Sequence, residues 1–108
     1  MIDPEFKAKW LEALRSGRYP QTRDRLRGKF GFCCLGVACD ISGKGTWKAS
    51  LSGQQVFVSP YGSSKTCIPY HLREESGLTG TEHKSLANLN DRRKATFANI
   101  ADWIERNL

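Results

Sequence analysis

Apolar residues recur at helical spacing near both ends of the chain. In the first segment, the apolar positions of one face are Phe6, Trp10, Ala13 and Leu14. Asp3 can cap a helix, Pro4 suits the first helical position, and Gly17 is a favoured residue just beyond a C-terminus. The pattern therefore predicts a helix over residues 4–16.

The C-terminal segment has an equally regular apolar face. Its members are Phe97, Ile100, Ala101, Ile104 and Leu108. Thr96 precedes them as a candidate cap, so a second amphipathic helix is predicted. Trp103 lies off this face, and it either widens the buried surface or remains exposed for a partner.

Between these helices the pattern is mixed. Residues 22–27 alternate in character, which predicts a short strand,. The apolar run at 32–41 must be buried; its period does not separate strand from helix, although a short helix is favoured. Residues 47–51 and 55–58 predict a hairpin with its turn at 52–53.

The remaining segments complete an α+β prediction. Residues 59–65 are rich in Gly, Ser and Pro and predict a loop,. A short helix is expected to begin at Pro69 and to close at Gly77, with a further helical turn at 85–89. The predicted fold is a single small α+β domain (residues 1–108), with the N- and C-terminal helices packed on a small antiparallel sheet.

Length and composition are those of one globular domain. The chain has 108 residues, of which 39% are hydrophobic and 26% charged,. No apolar run approaches the roughly 20 residues of a membrane helix, and the first residues lack the features of a signal peptide. A cytoplasmic location with reduced cysteines is therefore expected.

Charge favours an anionic partner. Seventeen Lys and Arg against eleven Asp and Glu give a net charge of +6,. Positive charge is concentrated between residues 15 and 29, at Arg15, Arg18, Arg23, Arg25, Arg27 and Lys29, with Tyr19 among them. On a strand, alternate arginines project about 6–7 Å apart from one face and could bind phosphates. The alternative is a solvated face whose arginine stems cover the core.

A second basic cluster, Arg92-Arg93-Lys94, precedes the last helix. The positive end of that helix would add to its field, although a charged loop tip is the simpler explanation. Asn90 and Asp91 favour a turn, and in a pocket they could hold a ribose or a base edge.

The cysteines give little support for a zinc site. Cys34, Cys39, Cys67 and His71 could offer four zinc ligands, but the close Cys-x2-Cys pair of common structural sites is absent,. Burial in the core is favoured for cysteines in such an apolar run. No catalytic or cofactor-binding motif is present, so neither an enzyme nor a cofactor is predicted.

Three blocks together resemble a family of small phage and prophage proteins of unassigned function. They are GFCCLGVACD at 31–40, LND at 89–91 and TFANIADWIE at 96–105, preceded by KW and ALRSG within 9–17. The blocks occur in the same order as in that family, and together they cover most of the chain apart from residues 43–66. That family usually has a small, Gly-containing turn after Asn-Asp. This chain instead has a basic triplet at residues 92–94.

The resemblance implies a phage-encoded accessory protein in the bacterial host cytoplasm, and it transfers no catalytic residue. We expect a counter-defence protein that sequesters an anionic, nucleotide-like ligand without catalysis. The alternatives are an inhibitor of a host nuclease or other nucleic-acid machine, and direct nucleic-acid binding; a homodimer is compatible with each. The predicted ligand-binding residues are Arg18, Tyr19, Arg23, Arg25, Arg27, Lys29, Asn90, Asp91, Arg92 and Arg93.

Overall fold

A computed structural model describes residues 1–60 and 62–108. Its helices are α1 (Pro4–Arg15), α2 (Cys34–Ser42), α3 (Tyr70–Ser76), α4 (Gly80–Asp91) and α5 (Phe97–Asn107). Its strands are β1 (Thr46–Ala49), β2 (Gln55–Ser59) and β3 (Gly62–Ser64), which form one antiparallel sheet in the order β1-β2-β3. The predicted α+β class is confirmed. Among the described residues, no helix has the length and apolar character needed to cross a bilayer.

Side-chain caps fix the starts of both terminal helices. The Asp3 carboxylate accepts a hydrogen bond from the backbone N–H of Phe6 at 2.9 Å, and Pro4 is the first helical residue. The Thr96 hydroxyl accepts from the N–H of Asn99 at 3.2 Å. Each bond satisfies one of the backbone donors that a helix start leaves unpaired. Both predicted helices are confirmed.

The apolar run after residue 32 forms α2, as the favoured alternative predicted. Cys33 is its N-terminal cap, and its sulfur accepts from the N–H of Gly36 at 3.3 Å. Gly43 ends the helix in the left-handed conformation, with φ of 66°. Residues 34–39 are all buried, because this helix lies in the middle of the core.

The hairpin is confirmed, with Trp47 opposite Phe57. The predicted loop at 59–65 is wrong in part, since β3 pairs with the free edge of β2 through Phe57↔Ser64 and Ser59↔Gly62. Pairing satisfies backbone groups that this edge would otherwise leave open, and a Gly/Ser-rich segment gives no apolar alternation to reveal it. Residue 61 of that predicted loop lies outside the described residues.

The strand predicted at 22–27 is wrong. Only isolated bridges occur there, at Gln21 and Arg27, and the backbone between them bends through Asp24, whose φ is 66°. The N–H of Thr22 bonds to the carbonyl of Phe32 at 2.8 Å, whereas that of Leu26 bonds to Lys65 at 2.8 Å. Because successive donors bond to different segments, the arginines of this loop do not line one face.

The helical turn predicted at 85–89 belongs to the much longer α4. The Thr79 hydroxyl accepts from the N–H of Glu82 at 3.1 Å, and the Glu82 carboxylate accepts from the N–H of Thr79 at 3.0 Å. This capping box defines the true start of the helix. Asn90 and Asp91 therefore occupy its last turn, and the turn predicted for them is wrong.

The core lies among the helices and reaches the sheet through Phe57. The terminal helices pack against each other, α1 also packs on α2, and α4 packs on α2 and α5. The buried indole of Trp10 donates to the carbonyl of Cys34 at 3.0 Å, which joins α1 to α2 while satisfying a polar group in the core,. The short α3, confirmed between Pro69 and Gly77, adds Leu72 to the same core.

Gly36 allows the loop before α2 to pack directly on that helix. A Cβ at this position would lie 1.9 Å from the carbonyl oxygen of Leu26 and 2.7 Å from its carbonyl carbon. The same Leu26 carbonyl accepts from the N–H of Cys33 at 3.0 Å. Backbone cannot move aside here without breaking that bond.

We expect Gly36→Ala to destabilise the protein by about 3 kcal/mol or more, because the added methyl clashes with backbone. Gly17→Ala is the matched control: its Cβ meets nothing within 4 Å, and its φ of 78° costs only about 1–2 kcal/mol,. Urea denaturation measures both free energies of unfolding. Equal losses in the two variants would contradict the tight contact.

Candidate anion-binding site

The predicted ligand residues are distributed over several places. Arg18 pairs with Glu12 at the surface, where both guanidinium–carboxylate hydrogen bonds are 3.0 Å. This bond is the main cause that raises the pKa of Arg18 and lowers that of Glu12. Arg15 pairs with Asp102 at 2.9 Å and with Glu105 at 3.3 Å. These cations already have counter-charges.

Tyr19 and Arg27 belong to an aromatic cluster near the sheet. The Tyr19 hydroxyl and the Trp47 indole donate to the two oxygens of Asp40, at 2.5 and 3.0 Å. The Arg27 guanidinium lies 4.6 Å from the ring centroid of Phe32 and 5.6 Å from that of Trp47. Arg27 is half-buried here, and its cation–π contacts hold it to the fold,.

The other basic residues of the loop have different surroundings. The Lys29 ammonium lies 5.5 Å from the ring centroid of Phe30, and both side chains are exposed. Arg25 is half-buried. Arg23 donates from Nη2 to the carbonyl of Lys94 at 3.4 Å, and its buried Nε has no partner among the described residues.

The side chain of Asn90 is a buried junction. Its Oδ1 accepts from Gln21 Nε2 at 2.9 Å and from the backbone N–H of Cys34 at 3.2 Å. Its Nδ2 donates to the carbonyl of Thr22 at 2.9 Å and to Asp91 at 2.8 Å. The amide is fully buried and every hydrogen-bonding position is used,. We therefore assign Asn90 to the fold.

Asp91 extends this junction to the surface. The same oxygen that accepts from Asn90 also accepts from the backbone N–H of Asp24 at 2.9 Å. Asp24 and Lys94, with φ of 66° and 53°, are the non-glycine residues with left-handed backbone in the described part of the chain. Their two loops are joined by the Arg23–Lys94 bond as well, so Asp24 is held in place.

The outer face of α4 carries a ridge with a cavity on each side. Lys84, Asn88 and Arg92 form the ridge, four residues apart,. The first cavity, the α4–α5 groove, has a volume of about 550 Å³ and is lined by Thr81, Lys84, Ser85, Asn88, Leu89, Arg93 and Trp103. The second, the α4–loop cavity, has a volume of about 490 Å³ and is lined by Asp24, Lys84, Ala87, Asn88, Asp91 and Arg92.

The α4–α5 groove combines positive charge with an aromatic wall. Lys84 and Arg93 line it together with the half-buried indole of Trp103, and none of the described residues that line it is a carboxylate. Within the described residues, neither cation has a salt bridge, in contrast to Arg15 and Arg18. Two such cations beside the indole can bind an anion that also carries a flat ring.

The structure thus brings together only part of the predicted site. Arg93 lines the α4–α5 groove, whereas Arg92, a member of the ridge, and Asp91 line the α4–loop cavity. Arg18, Arg27 and Lys29 line neither cavity. Lys84 was not among the predicted ligand residues, although the capping-box pattern at 79–82 indicates the helix on which Lys84 aligns with Arg92,.

The cysteines are placed mainly for packing. Cys33, Cys34 and Cys39 are buried, as expected, whereas Cys67 is exposed. Burial raises the pKa of all three buried thiols, that of Cys33 to about 11, so they are not thiolates near neutral pH,. The described residues contain no group of three or more side chains arranged to hold a metal ion.

A family model described as Domain of unknown function (DUF8296) matches residues 2–79, which is more than half of the chain. The match covers α1 to α3 and the sheet, and ends at the residue that caps α4. No curated protein and no solved structure matches the chain.

We expect Asn90→Ala to destabilise the protein by about 3 kcal/mol or more, because each buried group left unpaired, such as the Cys34 N–H, costs about 1–3 kcal/mol. Asn99→Ala, on the exposed face of α5, should change stability by no more than about 0.5 kcal/mol. Urea denaturation compares the two. Similar effects would show that the junction is dispensable.

Tyr19 should make stability pH-dependent in alkaline solution. Burial, and then the bond to Asp40, raise its pKa from 10.0 to about 12. The folded state therefore favours the protonated phenol, and this stabilisation is present below pH 10 and lost as the pH rises to about 12,. Urea denaturation over this range should show a steeper fall for the native protein than for Tyr19→Phe. Parallel profiles would contradict the assignment.

Proposed function

We propose that this chain, which belongs to the DUF8296 family, binds an anionic, nucleotide-like ligand in the α4–α5 groove and sequesters it without catalysis. The observation that carries the proposal is the groove itself. Lys84 and Arg93, which form no salt bridge within the described part of the chain, lie beside the indole of Trp103.

The groove offers a counterpart for each part of a nucleotide. The Arg93 guanidinium can bind two phosphate oxygens at once, and the Lys84 ammonium adds a mobile positive charge. A base can stack on the indole of Trp103, a contact that contributes about 1–3 kcal/mol per base in proteins that bind single strands. Ser85 and Asn88 line the same groove and can hydrogen-bond a sugar or a base edge,.

A binding role without catalysis agrees with the state of the reactive side chains. Three of the thiols are buried with raised pKa values. His83 accepts a hydrogen bond at Nε2 from the N–H of Ile68 at 3.1 Å, and burial lowers its pKa. That nitrogen is therefore not available as a base for a nearby nucleophile.

The biological setting we propose is a phage accessory protein in the bacterial cytoplasm that counters host defence. The support is the resemblance of the 31–40, 89–91 and 96–105 blocks to small phage proteins, together with the net charge of +6. A protein that removes a nucleotide signal needs affinity and abundance but no turnover. The cations and the indole that line the groove support the first of these requirements.

The proposal predicts that a nucleotide quenches Trp103 fluorescence and raises the melting temperature. Lys84→Ala and Arg93→Ala should each weaken binding at least about tenfold, because a hydrogen bond to a charged group contributes about 1.5–3 kcal/mol. Lys48→Ala and Arg18→Ala are matched controls, since they remove the same charges from exposed positions that line neither cavity. Titration calorimetry with adenine and guanine nucleotides measures the affinities.

Failure of all phosphorylated ligands to shift the melting temperature would refute the proposal. So would equal weakening by Arg93→Ala and Arg18→Ala, because charge alone would then explain binding. Stoichiometric capture of a host nuclease without nucleotide binding would favour the inhibitor alternative. Affinity for DNA or RNA oligonucleotides that falls steeply with salt, without preference for a short ligand, would favour nucleic-acid binding.

A further inference from the structure

The two cavities beside α4 have a common wall, and this bears on the size of the ligand. Lys84 and Asn88 line both the α4–α5 groove and the α4–loop cavity. We infer that the ligand is a dinucleotide that lies across the α4 ridge, with one base on Trp103, phosphate at the ridge and the second nucleoside in the α4–loop cavity. This inference rests on the proposed function and extends it.

Three cations line the two cavities that meet at the ridge. Arg93 lines the groove, Arg92 lines the α4–loop cavity, and Lys84 lines both. No salt bridge occupies these three cations in the described part of the chain. Lys84 and Arg92 are two helical turns apart, about 12 Å along the axis. The phosphates that join two nucleosides would therefore lie between the two cavities.

The two cavities differ in the groups that they can bind. Among the described residues, no carboxylate lines the α4–α5 groove, whereas Asp24 and Asp91 line the α4–loop cavity. Carboxylates repel phosphate but accept hydrogen bonds from ribose hydroxyls and from the N–H groups of a base. The α4–loop cavity therefore suits a nucleoside better than a further phosphate.

The carboxylates of this cavity have free acceptor positions. Asp91 uses Oδ1 for its bonds to Asn90 and to the Asp24 backbone, and its Oδ2 has no hydrogen bond among the described residues. The Asp24 carboxylate has no partner among them either. A mononucleotide confined to the groove would contact neither Arg92 nor these acceptor positions, since Arg92, Asp24 and Asp91 line only the α4–loop cavity.

The loop that carries Asp24 forms one wall of the α4–loop cavity, and its contacts within the fold fix it before any ligand binds. Asp24 keeps a left-handed backbone, with φ of 66°, while its N–H donates to Asp91. The adjoining carbonyl of Thr22 accepts from the buried Asn90 amide. Backbone strain of this kind is retained where surrounding contacts enforce it, often at binding sites. A fixed wall lowers the ordering cost of binding.

The first test compares ligand sizes on the native chain. Titration calorimetry with AMP, GMP, the linear dinucleotides pApA and pGpG, and their cyclic forms measures each dissociation constant. We expect a dinucleotide to bind at least about tenfold more tightly than the matching mononucleotide, because its second half binds intramolecularly. Equal affinities would overturn the inference while leaving the proposed function in place. Lack of binding by every nucleotide would refute both.

The second test removes the negative charge of each carboxylate in the α4–loop cavity and measures whether dinucleotide affinity falls or rises. Asn tolerates left-handed backbone, and an amide oxygen at residue 91 can still accept from the Asp24 N–H, so Asp24→Asn and Asp91→Asn should both fold. We expect each variant to lower dinucleotide affinity about three- to tenfold, because a charged acceptor binds N–H and O–H donors more strongly. Mononucleotide affinity should not change.

Asp3→Asn is the matched control, because Asn caps a helix as well as Asp and residue 3 lies outside both cavities,. Trp103→Ala should weaken mononucleotides and dinucleotides alike. A gain in dinucleotide affinity in Asp24→Asn or Asp91→Asn would place phosphate in the α4–loop cavity and overturn the inference. So would unchanged dinucleotide affinity in both variants.

Discussion

The buried amide of Asn90 joins the last turn of α4 to two segments that are distant from it in sequence. Its oxygen binds the first N–H of α2, at Cys34, which no intrahelical carbonyl could pair, and its nitrogen binds the carbonyl of Thr22,. An amide in an apolar interior is costly unless it is fully paired. The last turn of α4, the loop before α2 and the start of α2 are therefore held in one relative arrangement.

The candidate site depends on this arrangement. Leu86 and Asn90 point from one face of α4 into the core, which turns Lys84, Asn88 and Arg92 outward,. The loop fixed by Asn90 supplies one wall of the α4–loop cavity, and α5 supplies the opposite wall of the α4–α5 groove through Trp103. A buried structural contact thus positions both cavities, although it takes no part in them.

The local sequence pattern was sufficient to predict those helices and strands whose determining residues lie within a few positions of one another. Phe6 and Trp10 recur at helical spacing behind the Asp3 cap, and the turn at 52–53 separates two strand-like segments; both predictions are confirmed. The strand predicted at 22–27 failed because its backbone donors bond to two different segments. The strand at Gly62–Ser64 was missed because it exists only by pairing with β2.

The sequence by itself determined the α+β class, the caps of the terminal helices and the excess of positive charge, since each depends on residue type and short-range spacing. Only the tertiary structure decided which cations are available. Arg18 is paired with Glu12, and Arg27 is stacked on Phe32, whereas Lys84 and Arg93 lie beside Trp103. The decisive contacts, such as those between the 21–24 loop and Asn90, join residues more than sixty positions apart, and no local pattern encodes such a meeting.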